Sequence, residues 1–350
     1  MNVLSIAGFK SFKSITIDLL PINILIGANG SGKTNFLSFF EMLHCIYEKR
    51  LTEFVALNGG PERFLHKGHK VTKIIKAEVS FEDNSYELEL KEGDGRFVFA
   101  YESFGNVFEN GRSHLSSASY MPESDMLDNS LYGQDKTINA YLNNITKYHF
   151  HDTGKHSPFT HESNIKSDIF NLYEDGSNLA AFLYGIRTQY PMVYNRIVKV
   201  VQSIAPYFQN FYLKPNSADN VRLFWKDKYS DTIYSPSALS DGTLRFIALT
   251  TLFLQPNPAK VLVIDEPELG LHPQAISKLS GLIKSVSERG VQIIVATQSA
   301  DLISLFSPED IITVNQVYGE THFARLDSDK LSRWLEEYTI GDLWKSNIIQ

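Results

Sequence analysis

The pattern of hydrophobic and polar positions divides the chain into stretches of different period. Asn2–Ile6 is short and mostly apolar, Ser14–Leu19 alternates, and Ile22–Ile26 is an unbroken apolar run. Alternation marks a strand with one wet face, and a continuous run of strand length marks one buried on both faces. Asn35–Lys49 then carries Phe36, Phe39, Phe40, Leu43, Ile46 and Tyr47 at helical spacing. Alternation returns in residues 71–81, 85–90 and 96–103, separated by Glu-Asp-Asn and Glu-Gly-Asp-Gly. Those separators are hairpin turn signals, so this region predicts an antiparallel sheet.

Leu179–Phe208 has helical spacing broken at Pro191 and Pro206 and predicts a helical lobe, and residues 219–234 predict strands. From Ser240 onward helix and strand alternate: helix Thr243–Phe253, strand Val261–Ile264, helix Pro273–Ser287, strand Gln292–Ala296, then Asp301–Leu305. This is the rhythm of a parallel sheet. Residues 110–135 and 149–168 are rich in Ser, Asn, Asp, His and Gly and read as irregular or mobile. No heptad run exists to build coiled-coil arms. The pattern predicts an α/β chain with a mixed or parallel core sheet, an antiparallel β lobe and an inserted helical lobe, divided at 1–109, 110–215 and 216–350.

Composition narrows the function class. The chain has 350 residues, 43% hydrophobic and 21% charged, which fits a globular protein with a large core and excludes general disorder. A net charge of −7 excludes a uniformly basic DNA-wrapping protein and leaves room for a local basic groove. A single cysteine, Cys45, excludes a disulfide framework or a zinc ribbon and fits a reducing cytoplasm. No apolar run approaches the roughly 18 residues a bilayer span needs, and Met1-Asn2-Val3-Leu4 leads straight into patterned sequence without a signal peptide. A cytoplasmic protein with no membrane partner is expected. His66, His69, His149, His151, His156 and His161 show no paired ligand spacing, so no second metal site is expected.

Three motifs carry chemistry. Gly27-Ala-Asn29-Gly30-Ser31-Gly32-Lys33-Thr34 matches the P-loop pattern and lies between an apolar strand and a helix. Its glycines let backbone N–H groups face phosphate oxygens, and the helix adds its positive end. Lys33 is expected at a solvent-accessible anion site, reaching the β- and γ-phosphates of ATP, and Thr34 is expected to ligate Mg²⁺. Val261-Leu-Val-Ile264-Asp265-Glu266 puts two carboxylates at the end of a buried strand, where ligands of such sheets bind. Asp265 is the expected Mg²⁺ holder, and Glu266 the group that polarises an attacking water. Leu239-Ser240-Asp241-Gly242-Thr243 opens a helix. Taken alone it reads as a helix cap; its place before Asp265 makes it a second phosphate contact.

The opening Ile6-Ala-Gly-Phe9-Lys10-Ser11-Phe12, the turn Gly27–Asn35, Leu239–Thr243 and Asp265-Glu-Pro-Glu-Leu-Gly-Leu-His-Pro273 together resemble the ABC-type ATPase heads of the SMC/RecF/OLD-like branch, the AAA_21- or AAA_15-type AAA family ATPases. The resemblance implies a P-loop ABC-type head. In it Ser240 and Gly242 contact the γ-phosphate held by Lys33 of a second protomer, so a homodimer or higher oligomer sandwiches ATP. It implies that Asn35 belongs to the nucleotide site and that Leu269–His272 crosses the dimer interface. ABC transporters carry His at the switch position, whereas this chain has Gln298, which can hydrogen-bond a γ-phosphate or water but cannot carry a proton. Slow turnover follows. The Q-loop is not placed by sequence. Lys10 and Lys13 stand either near the nucleotide or on a solvated strand face.

Short heads of this kind resemble components of bacterial anti-phage systems that act with a separate effector protein. A DNA-repair or chromosome-handling ATPase that binds duplex DNA is the alternative, and a transporter ATPase subunit a third. The residues after Gln298 are too few for a fused nuclease domain.

Overall fold

The alternating N-terminal segments form an antiparallel hairpin, β1 (Val3–Phe9) and β2 (Phe12–Asp18), and the unbroken apolar run forms β3 (Ile22–Ile26). The hairpin and β3 enter different sheets. With β4 (Ile74–Phe81), β5 (Asn84–Gly93), β6 (Arg96–Asn106) and β7 (Leu115–Ser117), the hairpin builds a six-stranded antiparallel sheet of order β2-β1-β4-β5-β6-β7. The predicted antiparallel lobe therefore also contains the first two strands.

The second six-stranded sheet holds the chemistry. Its remaining strands are β8 (Ile145–Tyr148), β9 (Val261–Asp265), β10 (Gln292–Thr297), β11 (Ile311–Val317) and β12 (Glu320–Arg325), in the order β12-β11-β3-β10-β9-β8. All neighbours are parallel except the β11–β12 hairpin. Register aligns the carboxyl ends: Thr297 pairs with Ile26, and Asp265 pairs with Ala296. The glycine turn, the acidic pair and Gln298 thus leave the sheet on one edge.

The structure is a computed structural model and describes residues 1–81, 84–106, 115–117, 120–124, 141–154 and 156–349. Much of the stretch expected to be irregular at 110–135 lies outside the described residues.

Alternation along the buried strands feeds two cores. Ile22, Ile24, Ile26, Leu262, Ile264, Ile293 and Val295 face one; Leu25, Val261, Val263, Ile294 and Ala296 face the other. The second core lies under the antiparallel sheet and α1 (Lys33–Tyr47), with α2 (Leu51–Leu57) beside it. Phe9, Phe12, Phe36, Phe39, Phe40 and Phe64 are wholly buried there, and each contributes about 1.5–3 kcal/mol of transfer free energy. Ring pairs such as Phe9–Phe39 (5.3 Å, edge-on) fix their geometry.

The first core joins α3 (Leu179–Gln189), α4 (Pro191–Ile204), α5 (Asp241–Leu254), α6 (Pro273–Ser287) and α7 (Ala300–Ile303). Two short helices follow, α8 (Ser328–Leu335) and α9 (Ile340–Lys345). No helix of the described residues is long and apolar enough to cross a membrane.

Candidate functional site

The glycine turn follows β3 directly, and its shape is dictated by lack of room. A Cβ on Gly27 would lie 2.2 Å from the Val314 carbonyl oxygen, and one on Gly32, at φ 115°, 2.3 Å from the Thr321 hydroxyl. That hydroxyl donates to the Ser31 carbonyl at 2.8 Å, so β12 braces the turn. Asn29, Gly30 and Thr34 are exposed, whereas Ser31 is buried with a hydroxyl that meets no partner. Lys33 is also buried, 6% exposed, where sequence predicts an accessible ammonium. Its Nζ folds back and donates to the carbonyls of Gly27 (2.6 Å) and Ala28 (3.0 Å). Burial lowers its pKa below the ordinary lysine value, and the charges of Glu266, Asp265 and Glu268 pull it back up.

Those three carboxylates come from the last residue of β9 and the turn that follows it. Asp265 and Glu266 are half-buried and Glu268 is buried. Glu266 adopts φ 42°, an uncommon region for a residue with a side chain, and its N–H donates to the Ala296 carbonyl at 2.8 Å. Its Oε1 accepts from Gln298 Nε2. Glu268 accepts from the Thr297 hydroxyl, and its other oxygen is buried without a partner. Desolvation holds the Asp265 carboxyl above its usual range, helped by Glu266, and burial does the same for Glu268. The structure therefore brings Lys33, Asp265, Glu266 and Gln298 together.

The 239–243 segment opens α5 with Ser240 as N-cap; its hydroxyl accepts from the Thr243 N–H at 3.2 Å. A Cβ on Gly242 would lie 2.2 Å from the Gly270 carbonyl oxygen, so this helix start rests on the turn that follows the acidic strand. Asn35 donates to the Ser11 hydroxyl at 2.9 Å. Lys10, at φ 47° in the β1–β2 turn, is half-buried beside the Phe9 and Phe64 rings and donates to Ser38 at 2.7 Å. It lines a cavity of about 490 Å³ with Ser11, Asn35 and Arg63. Lys13 is exposed and pairs with Glu320.

The family described as "AAA domain, putative AbiEii toxin, Type IV TA system" matches residues 22–304. The chain belongs to this AAA-domain family. Its fold is that of an ABC/SMC-like ATPase head. The Smc head solved bound to the C-winged helix domain of ScpA superposes with a TM-score of 0.61 at 16% identity, covering 95% of this chain and 99% of that one. The Pyrococcus furiosus Smc head with an extended coiled coil gives 0.59 at 14%, covering 96% and 98%. In sequence, the AAA-domain chain is 30% identical over 103 residues to the energy-coupling factor transporter ATP-binding protein EcfA of Methanosphaera stadtmanae, 29% of this chain and 36% of that protein. It is 35% identical over 71 residues to the Old nuclease of Escherichia phage P2, 20% of this chain and 12% of that protein. The chain thus spans about a third or less of the length of these curated relatives.

Within this AAA-domain chain sequence reasoning missed several residues. β8 pairs in parallel with β9, Tyr148 opposite Ile264, so the loop from His149 to Asp152 leaves the sheet beside Asp265, and the His151 charge bears on that carboxylate. Ile145-Thr-Lys-Tyr148 is too short and too polar to announce a core strand. Glu268 was legible as a third carboxylate in Asp265-Glu-Pro-Glu268, and Arg245 as the one basic residue in a largely apolar helix. Thr321 had no signal: its role depends on a hairpin folding back across the chain. At the surface, Glu62, His69 and Glu92 bring ligand-type atoms within 4.8 Å of one another.

Proposed function

We propose that the chain is a Mg²⁺-dependent ATPase that closes head-to-tail around ATP and uses the cycle to control a separate effector protein. What supports the hydrolytic part is one convergence: the Lys33 ammonium and three carboxylates face each other at the carboxyl ends of β3 and β9, the parallel strands on either side of β10, under a glycine turn with no room for a Cβ at Gly27. An orphaned Ser31 hydroxyl and an orphaned Glu268 oxygen at this cleft suit a polar, hydrogen-bonding ligand. Thr34 and Asp265 are an oxygen-only donor pair of the kind Mg²⁺ takes, and the ion would supply charge neutralisation on the phosphates.

The residues then divide the work. The N–H groups of residues 29–35 hold phosphate. Lys33 exchanges its two carbonyl contacts for charge-assisted ones to phosphate oxygens. Glu266 orients a water and takes its proton, and Gln298 holds the Glu266 carboxylate in place. Ser240 and Gly242 meet the phosphate held by the partner protomer.

The effector role, in bacterial anti-phage defence, draws on the family description, which names a toxin–antitoxin system, and on the likeness to Old nuclease. A DNA-handling role is favoured by the fold likeness to Smc heads, two of which are solved with ScpA domains.

A Glu266→Gln variant tests the reading. Water activation is lost while Asp265 remains, so ATP and Mg²⁺ should trap a dimer visible by light scattering. A variant that stays monomeric at micromolar protein contradicts the sandwich. Lys33→Ala should cut ATP hydrolysis by about a hundredfold or more with the chain still folded; undiminished turnover contradicts the site. Co-purification with the neighbouring gene product, against a duplex-DNA titration at several salt concentrations, separates the two roles.

A further inference from the structure

Arg245 lies in the second turn of α5, 5% exposed, and pairs with no carboxylate among the described residues. Its guanidinium instead donates to three backbone carbonyls. Nε reaches Phe150 at 2.7 Å, one terminal nitrogen reaches His151 at 2.9 Å, and the other reaches Leu269. The first two carbonyls belong to the loop after β8, and the third to the turn after β9. Burial pushes the guanidinium pKa down, with Asp241 and Glu268 opposing, so this charge is held at a cost that three oriented carbonyl dipoles offset.

The same turn is gripped from its other side. Gly242 sits against the Gly270 carbonyl, and Gly270, at φ 76°, leaves only 3.3 Å between a would-be Cβ and the Arg245 guanidinium. The start of α5, the 266–272 turn and the 150–151 loop are therefore joined by direct contacts. The joined segments carry Ser240 and Gly242 at one end and Asp265, Glu266 and His151 at the other.

We infer that Arg245 is a positioning residue that couples the Ser240–Gly242 face, which meets a partner protomer, to the carboxylates of its own cleft. This rests on the ATPase reading above. Contact made by one protomer at Ser240 shifts α5, and Arg245 passes the shift to the 150–151 loop and the acidic turn. Lysine cannot substitute. Its three donors radiate from a single nitrogen, whereas the planar fork spreads its donors to carbonyls from two separate segments.

The test compares wild type with Arg245→Gln and Arg245→Lys. In each variant, affinity for ATP should stay within about threefold of wild type, since the P-loop is untouched, while kcat falls by about a hundredfold because a misplacement of order 1 Å costs about that much. KM should hardly move. Amide hydrogen exchange on the nucleotide-free protein gives an independent readout. Residues 149–152 and 268–271 should exchange at least about tenfold faster in both variants, with 27–34 unchanged. If Arg245→Gln does not fold, Arg245→Lys carries the same readouts. Wild-type kcat in a folded variant, or faster exchange spread evenly over the chain, overturns the coupling. If the wild-type protein hydrolyses no ATP, the ATPase reading fails and the exchange experiment still decides whether Arg245 joins the two loops.

Discussion

Gln298 Nε2 donates to Glu266 Oε1, and the two residues stand just past the ends of neighbouring parallel strands, β10 and β9. A side chain that accepts no proton thereby fixes the one that would. Gln298→Ala should release the Glu266 carboxylate and lower kcat by about tenfold to a hundredfold, a fraction of what positioned proton transfer supplies, with KM for ATP little changed. Steady-state phosphate release measures both. An equal fall in ATP affinity and kcat would place Gln298 on the substrate in its ground state instead.

Two glycines of the same turn should respond differently to alanine. At Gly27 the new Cβ meets the Val314 backbone at 2.2 Å, and nothing soft can give way. At Gly30 the Cβ meets open space, and only φ 78° opposes it. Gly27→Ala should cost about 2–3 kcal/mol of overpacking, and Gly30→Ala about 1 kcal/mol of left-handed strain. Urea midpoints order the two; the reverse order would mean that β11 can retreat from the turn.

Lys10 makes stability depend on alkaline pH. Burial lowers its pKa to about 8, with Glu41 opposing and Lys147 assisting, against 10.5 for a free lysine. Between those values the unfolded chain binds more protons than the folded one, so stability rises with pH across that window. The cost of burying the ammonium is full below about 8 and has vanished above 10.5. Lys10→Met should remove that rise. Urea unfolding of both proteins at several points in the window checks it, and parallel pH profiles would refute the assignment.

How far the fold was legible depended on period and length. Ile22–Ile26 and Pro273–Ser287 fall on the predicted residues because a five-residue apolar run and a Pro-started amphipathic helix admit one reading each. The partnership of β1 with β4 was not legible, since strand pairing across the intervening helices is a tertiary fact. In the site, motif spacing singled out Lys33 and Asp265, and family resemblance Gln298, but neither gave their surroundings. The burial of Lys33 arises from a turn that curls over its own side chain, and the three-carbonyl role of Arg245 needs a loop nearly a hundred residues upstream.

The Thr321 hydroxyl that braces the Ser31 carbonyl comes from 290 residues further along the chain. A ribosome adding about 5–20 residues per second takes on the order of 15–60 s to cover that distance. Throughout that interval the glycine turn exists without the residue that braces it, and for most of it β3 also lacks its neighbours β10 and β11. The cradle thus matures long after its own residues have been made. A nascent chain stalled before residue 311 should hold its antiparallel lobe yet lack a braced glycine turn, which ties the turn's final shape to synthesis of the β11–β12 hairpin.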